Sequence, residues 1–251
     1  MAEPLLRTTD LSRRFGGVVA VDQVSLELHV GEVHAVIGTN GAGKSTLINM
    51  LSGELSASSG RIEFDGQDIG RWSTSRRARA GIGRSFQRTT IFPSFSVFEN
   101  CRLCAQAALP RAWAVWQGAQ HCETSKHAAH RALQAAGLEA EAQRPAGLLS
   151  HGAQRQLEIA MCLATQPRVL LLDEPLAGMG AEETGRMLAL LTELKRGHAV
   201  LLVEHDMDAV FRIADRITVM VNGAVIASDV PGCIRSNAQV QVAYLGDAHT
   251  D

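Results

Sequence analysis

The apolar run from Val33 to Ile37 passes directly into Gly38-Thr39-Asn40-Gly41-Ala42-Gly43-Lys44-Ser45, and Leu47, Ile48 and Leu51 then recur at helical spacing. Few features restrict a fold more tightly. A continuous apolar run is the signature of a strand covered on both faces, so this strand lies inside a parallel sheet flanked by helices. The small residues of the loop let backbone N–H groups turn inward around phosphates, and the helix that follows adds the partial positive charge of its N-terminus. Lys44 is placed to neutralise the β and γ phosphates and the Ser45 hydroxyl to ligate magnesium, with Thr46 completing the phosphate-binding set. An α/β chain that binds a nucleoside triphosphate follows from this stretch alone.

The surrounding pattern supports an α/β reading. Val24, Leu26, Leu28 and Val30 alternate as in a half-buried strand. Gly53 is suited to end the first helix, and Arg61 to Phe64 reads as a short strand closed by Asp65-Gly66. Beyond Gln87 the texture changes. Phe92 to Phe98 reads as an aromatic loop, and Asn100 to about Gly137 is rich in Ala, Leu, Gln and His, a helix-favouring composition interrupted at Pro110 and Gly118. The α/β alternation resumes with Val169 to Leu172, a helix face at Met187, Leu190, Leu191 and Leu194, and a strand from Ala199 to Val203. Asn222-Gly223 between two alternating runs is a hairpin signal. With no internal repeat, one composite domain over residues 5–247 is expected, with a helical subdomain at about 90–155.

Composition excludes several function classes. The 251 residues carry a formal charge of −2, which gives no global attraction to nucleic acid. The arginines between Arg71 and Arg88 read as a solvated helix face, since aromatic interleaving is sparse. The five cysteines lack a repeated metal-ligand spacing and read as reduced thiols. No apolar run is long enough to span a bilayer and the N-terminus lacks a signal-peptide pattern, so a cytoplasmic protein is expected.

Two further segments carry chemistry. Asp173, at the end of its strand, can hold magnesium, and Glu174 beside it can orient or deprotonate an attacking water. Ser150 and Gly152 precede a helix with Leu157, Ala160, Met161 and Ala164 on one face; a hydroxyl, a glycine amide and a helix N-terminus together make a second anion site, while a simple N-cap is the plainer reading. One chain seldom needs two phosphate cradles, whereas a head-to-tail dimer does.

The order GTNGAGKS, SFQ, LSHGAQ, VLLLDEP, EHD resembles the ATPase subunit of an ABC transporter over nearly the whole chain. That resemblance implies a P-loop NTPase fold with a RecA-like core, an antiparallel β subdomain and an inserted helical subdomain. It implies ATP and Mg2+ as ligands, Phe15 stacking on the adenine, Val21 touching the nucleotide, and Gln87 reaching both the magnesium and the attacking water. Glu174 becomes the general base or the carboxylate that orients the water, and His205 a contact to the γ phosphate. Arg14-Phe15-Gly16-Gly17, the helical insertion, Ala177-Gly178-Met179, Glu204 to Met207 and the ending Ala243 to Gly246 narrow the resemblance to subunits that energise branched-chain amino-acid importers, with urea and amide importers as close relatives. There, two ATPase subunits, identical or not, sit under two membrane permeases fed by a periplasmic binding protein. This implies a peripheral position on the inner face of the plasma membrane, with the aromatic loop as a permease socket.

Two departures stand out. His151 and Ala153 replace the Gly and the Gln or acidic residue of the commoner signature, and Gly180 replaces an Asp. All three belong to surfaces facing the other subunit, so a weaker contribution to the partner's site is expected. Rival readings are an exporter of the lipopolysaccharide type, which shares Tyr244-Leu245-Gly246, and a soluble ABC ATPase, which would carry two ATPase units or a long coiled coil. A P-loop GTPase is disfavoured, because none of the lysines, Lys44, Lys126 and Lys195, lies in a guanine-reading motif.

Overall fold

The computed structural model describes residues 3–86, 90–109 and 122–245. Strands β1 (Leu6–Phe15) and β2 (Val18–Leu28) form an antiparallel pair. β3 (Val33–Gly38) is buried along its whole length and leads into α1 (Lys44–Ser52), which ends at Gly53 in the left-handed conformation. β4 (Ser59–Phe64) and β5 (Gln67–Asp68) extend the antiparallel sheet to the order β2-β1-β4-β5. After α2 (Thr74–Ala80) and β6 (Ile82–Arg84), three helices pack on one another: α3 (Val97–Ala108), α4 (Glu123–Ala136) and α5 (His151–Ala164). The chain then returns through β7 (Val169–Asp173), α6 (Ala181–Leu194), β8 (Ala199–Val203), α7 (Met207–Ile213), the hairpin β9 (Arg216–Val221) and β10 (Ala224–Asp229), α8 (Pro231–Ser236) and α9 (Ala238–Leu245).

The second sheet has the order β10-β9-β3-β8-β7-β6, parallel except for β10. Every residue of β3, β7 and β8 is buried, which explains their unbroken apolar runs; each such Val, Leu or Ile contributes about 1.5–3 kcal/mol by leaving water. Leu172 pairs with Leu202, and Asp173 with Val203. This register brings the carboxyl end of β7 beside that of β8, with β3 and its loop next in line.

Two expectations need correction. Val97 and Phe98 open α3 rather than close the aromatic loop: Ser96 caps the helix by accepting from the Glu99 N–H, and Phe98 packs against His130. The arginine stretch is not a uniform solvated face. Arg77 is buried and donates to the carbonyls of Met50, Leu51, Ile69, Gly70 and Trp72, tying α2 to the end of α1; Arg84 is also largely buried, while Arg88 lies outside the described residues. β1 is a strand beyond those expected from the sequence.

Candidate nucleotide site

The phosphate loop is held from two sides. Gly43 has φ +98, and a side chain there would run into the Ala20 carbonyl of β2. Only glycine tolerates both the angle and the approach. On the other side, the Asn222-Gly223 turn has both residues in the left-handed region, as a two-residue hairpin requires. Its Gly223 N–H donates to the Ala42 carbonyl and its Gly223 carbonyl accepts from the Asp22 N–H. Val21 is fully buried, beneath Gly43. Its side chain supports the loop from beneath. Phe15, by contrast, is 47% exposed, with the Arg13 guanidinium 4.6 Å from its ring centroid.

Gly38, Thr39, Asn40, Gly41, Ala42, Gly43, Lys44, Ser45 and Thr46 lie where a strand–loop–helix turn requires, with Asn40, Gly41 and Ser45 at the surface. Lys44 is largely buried, and its Nζ donates to the carbonyls of Gly38 at 2.7 Å and Thr39 at 3.0 Å. Burial pushes the Lys44 ammonium down from the usual lysine range, while Glu174 and Asp173 act electrostatically in the opposite direction.

Asp173 is 3% exposed and its Oδ1 has no hydrogen-bond partner among the described residues. Burial raises its carboxyl above the ordinary range, against the pull of Arg84. A buried carboxylate oxygen without a donor is costly, and a hard divalent cation satisfies it; the Ser45 hydroxyl, exposed in the first turn of α1, is an oxygen donor of the same hard type, so the donor types fit magnesium. Glu174 sits in the left-handed region at φ +50, its N–H bonded to the Val203 carbonyl at 2.9 Å. His205, after β8, has a side chain 60% exposed. Thus β3, β7 and β8 bring Lys44, Asp173, Glu174 and His205 to one edge of the sheet. Gln87 lies outside the described residues.

Ser150 and Gly152 stand apart from that edge. The Ser150 hydroxyl caps α5 by accepting from the Ala153 N–H at 3.3 Å and donates to Glu183 at 3.2 Å. A Cβ placed on Gly152 would stand 2.5 Å from that same Glu183 carboxylate. His151 is exposed on the first turn of α5, against Gly178, and Gly180 caps α6 without a side-chain bond.

Four residues escaped the sequence reading. Arg84 donates to Ser52 Oγ at 2.9 Å, pairs with Glu54 at 3.0 Å and reaches within 3.8 Å of Asp173; its place at the end of a strand was masked by the neighbouring arginines. Ser85 receives the Asp173 N–H at 3.4 Å. Glu183 is a single acidic residue with no motif spacing to betray it, and Glu204 lies in the Glu204-to-Met207 stretch that carries the resemblance, but nothing in that stretch announces its burial.

Comparison with known proteins agrees with this geometry. The family model described as ABC transporter matches residues 21–177. The high-affinity branched-chain amino acid transport ATP-binding protein BraF of Pseudomonas aeruginosa is 40% identical, over 99% of this chain and 100% of its own. The corresponding protein LivG of Escherichia coli K12 is 39% identical over 99% and 100%. The solved ADP conformation of an ATP-binding cassette of an ABC transporter superposes with a TM-score of 0.85 at 31% identity, covering 98% of this chain and 100% of that one. With its phosphate loop, strand-end carboxylates and near-complete match in length, the chain belongs to the ABC transporter family as one of its ATP-binding, ATP-hydrolysing subunits.

Proposed function

We propose that this subunit powers an importer of branched-chain amino acids. The observation that carries the reading is the end-to-end match, at 39–40% identity, to two ATP-binding proteins of branched-chain amino acid transport. Residues 5–247 act as one ATP-binding domain in which a helical subdomain at about 90–155 faces the partner subunits. Two such subunits, identical or not, pair head to tail beneath membrane permeases, and a periplasmic binding protein supplies the solute. Among the described residues no helix is long and apolar enough to cross a membrane, so attachment to the inner face of the membrane runs through the permease. The exposed Phe92 and Phe95, stacked at 5.6 Å between ring centroids, border this surface. Asn100 fixes them by bonding the Phe92 N–H and carbonyl.

The chemistry follows from the placement. Phe15 supports the adenine, and loop amides with Lys44 hold the phosphates. Phosphoryl transfer asks for positioning and charge stabilisation more than covalent help, which Lys44 and His205 give to the γ phosphate. Glu174 orients the water or takes its proton. Ser45, Asp173 and Gln87 would hold magnesium, which when bound neutralises phosphate charge. Ser150 and Gly152 complete the partner's site, and His151, Ala153 and Gly180 make that contribution weaker than the commoner signature would. Co-purification with the neighbouring permease, followed by uptake into vesicles, tests the reading: leucine and valine should be taken up in an ATP-dependent manner. Uptake of urea alone would favour the amide-importer alternative, and turnover stimulated only by ribosomes or DNA would favour a soluble ATPase.

A further inference from the structure

Glu204 is fully buried, 0% exposed, yet it directly precedes the surface residue His205. Its own N–H reaches the Val36 carbonyl on β3 at 3.4 Å. One carboxylate oxygen accepts from the Leu176 N–H at 2.8 Å; the other accepts from the His205 N–H at 3.2 Å and lies 3.8 Å from the His205 ring Nδ1. Burial pushes this carboxyl above the ordinary range, and the Leu176 and His205 donors pull it back. An apolar side chain would fill the same space without the cost of taking a carboxylate out of water.

What the carboxylate joins gives the reason for keeping it. Leu176 lies two residues beyond Glu174, whose backbone at φ +50 is a conformation side chains other than glycine seldom adopt. Such strain persists only where the surroundings over-determine it. The His205 ring has its Nδ1 towards Glu204, while its side chain is 60% exposed. We propose that Glu204 is a positioning residue of the hydrolytic site, locking the turn that carries Glu174 and the loop that carries His205 into one unit. The inference rests on the roles given above to Glu174 and His205.

The substitution Glu204→Gln tests it. A carboxamide has a single acceptor oxygen, so it keeps the Leu176 bond and turns an NH2 group towards the His205 N–H. ATP turnover of the full chain should fall about 10- to 100-fold, the range seen when an orienting partner of a functional side chain is removed. The KM for ATP should move by less than about twofold, because ground-state binding is untouched. The double variant Glu204→Gln/His205→Ala should be no slower than His205→Ala alone, since residues acting as a unit are non-additive. Normal turnover of Glu204→Gln beside an inactive His205→Ala overturns this proposal and leaves the site assignment standing. Losses that multiply in the double variant, with a matching fall in Tm, assign Glu204 a merely structural role and overturn it as well. Normal turnover of His205→Ala overturns the site assignment itself, and this proposal with it. Amide exchange in the unmodified protein needs no variant: after division by their intrinsic rates, the Leu176 and His205 amides should show one common free energy of opening, and unequal values overturn the proposal.

Discussion

The two regions proposed to bind phosphate are built on different principles. Asp173, Glu174 and His205 stand at or just beyond the ends of strands β7 and β8, where ladder register fixes their spacing, and Lys44 opens α1 after the loop that leaves the neighbouring β3. Ser150 and Gly152 stand at the N-terminus of α5, where the hydroxyl is held by one backbone amide and one carboxylate, Glu183. The first region is preorganised by the main chain. The second depends on a side-chain contact that can exchange, which suits a surface completing a site on another subunit. Substitutions should therefore act strongly and locally in the first region, weakly and only in the assembled pair in the second.

The largest expected effect is in the strand-end region. Glu174→Gln keeps size and hydrogen bonding but removes the base, and turnover should fall roughly a hundred- to ten-thousandfold while ATP binding, measured by fluorescence titration, stays intact. Near-normal hydrolysis would remove Glu174 from its proposed role and undo the contrast between the regions.

Next comes the sheet that makes the strand-end region rigid. His34 on β3 is buried, 1% exposed, with its ring between the Glu27 carbonyl at 2.9 Å and Thr218 Oγ1 at 2.7 Å. Burial lowers its pKa from 6.5 to about 4. The unfolded chain therefore takes up the proton first, so stability is fully present above pH 6.5 and is lost as pH falls towards 4. Between pH 7.5 and 5.0 this one group should cost about 2 kcal/mol. Urea unfolding at the two pH values measures it, and a His34 ring that titrates by NMR near pH 6.5 in the folded protein contradicts the expectation.

A smaller effect belongs to the second region. Ser150→Ala removes a helix cap worth about 1 kcal/mol together with the proposed phosphate donor, so turnover of the assembled pair should drop about tenfold. ATP binding to the isolated chain should not change. Weaker binding to the isolated chain would place Ser150 on its own nucleotide and erase the distinction between the two regions.

The same contrast governs what could be read from the sequence. Main-chain geometry leaves a record: the apolar runs of β3, β7 and β8, the glycines of the phosphate loop and Asn222-Gly223 each demand particular residues. β1 left none, because register shifts break its alternation after Thr8 and Asp10 adopts φ +47. Arg77 and Arg84 went unread for another reason. A buried arginine and a solvated one look alike in sequence until its carbonyl or carboxylate partners, distant along the chain, are known. Glu183 shares that difficulty. An acidic residue in the first turn of α6 is already accounted for by the helix dipole, and only the fold shows the Glu183 carboxylate lying against Gly152.

That contact carries the finest distinction. Glu183 accepts the Ser150 hydroxyl and covers Gly152, so it presents a negative charge where, on the proposed reading, the partner's γ phosphate must arrive. Two anions cannot share one donor, so the hydroxyl must leave the carboxylate as the subunits close. Glu183→Gln preserves the bond through its amide oxygen and removes the charge. At a half-exposed position in salt solution such a repulsion is worth under about 1 kcal/mol, so the ATP concentration giving half-maximal turnover of the pair should fall about threefold. The isolated chain should bind ATP unchanged, and raising the salt should narrow the difference between variant and parent, as screening dictates. A variant that needs more ATP than the parent would mean that Glu183 holds Ser150 ready for the phosphate, and the second region would then be as preorganised as the first.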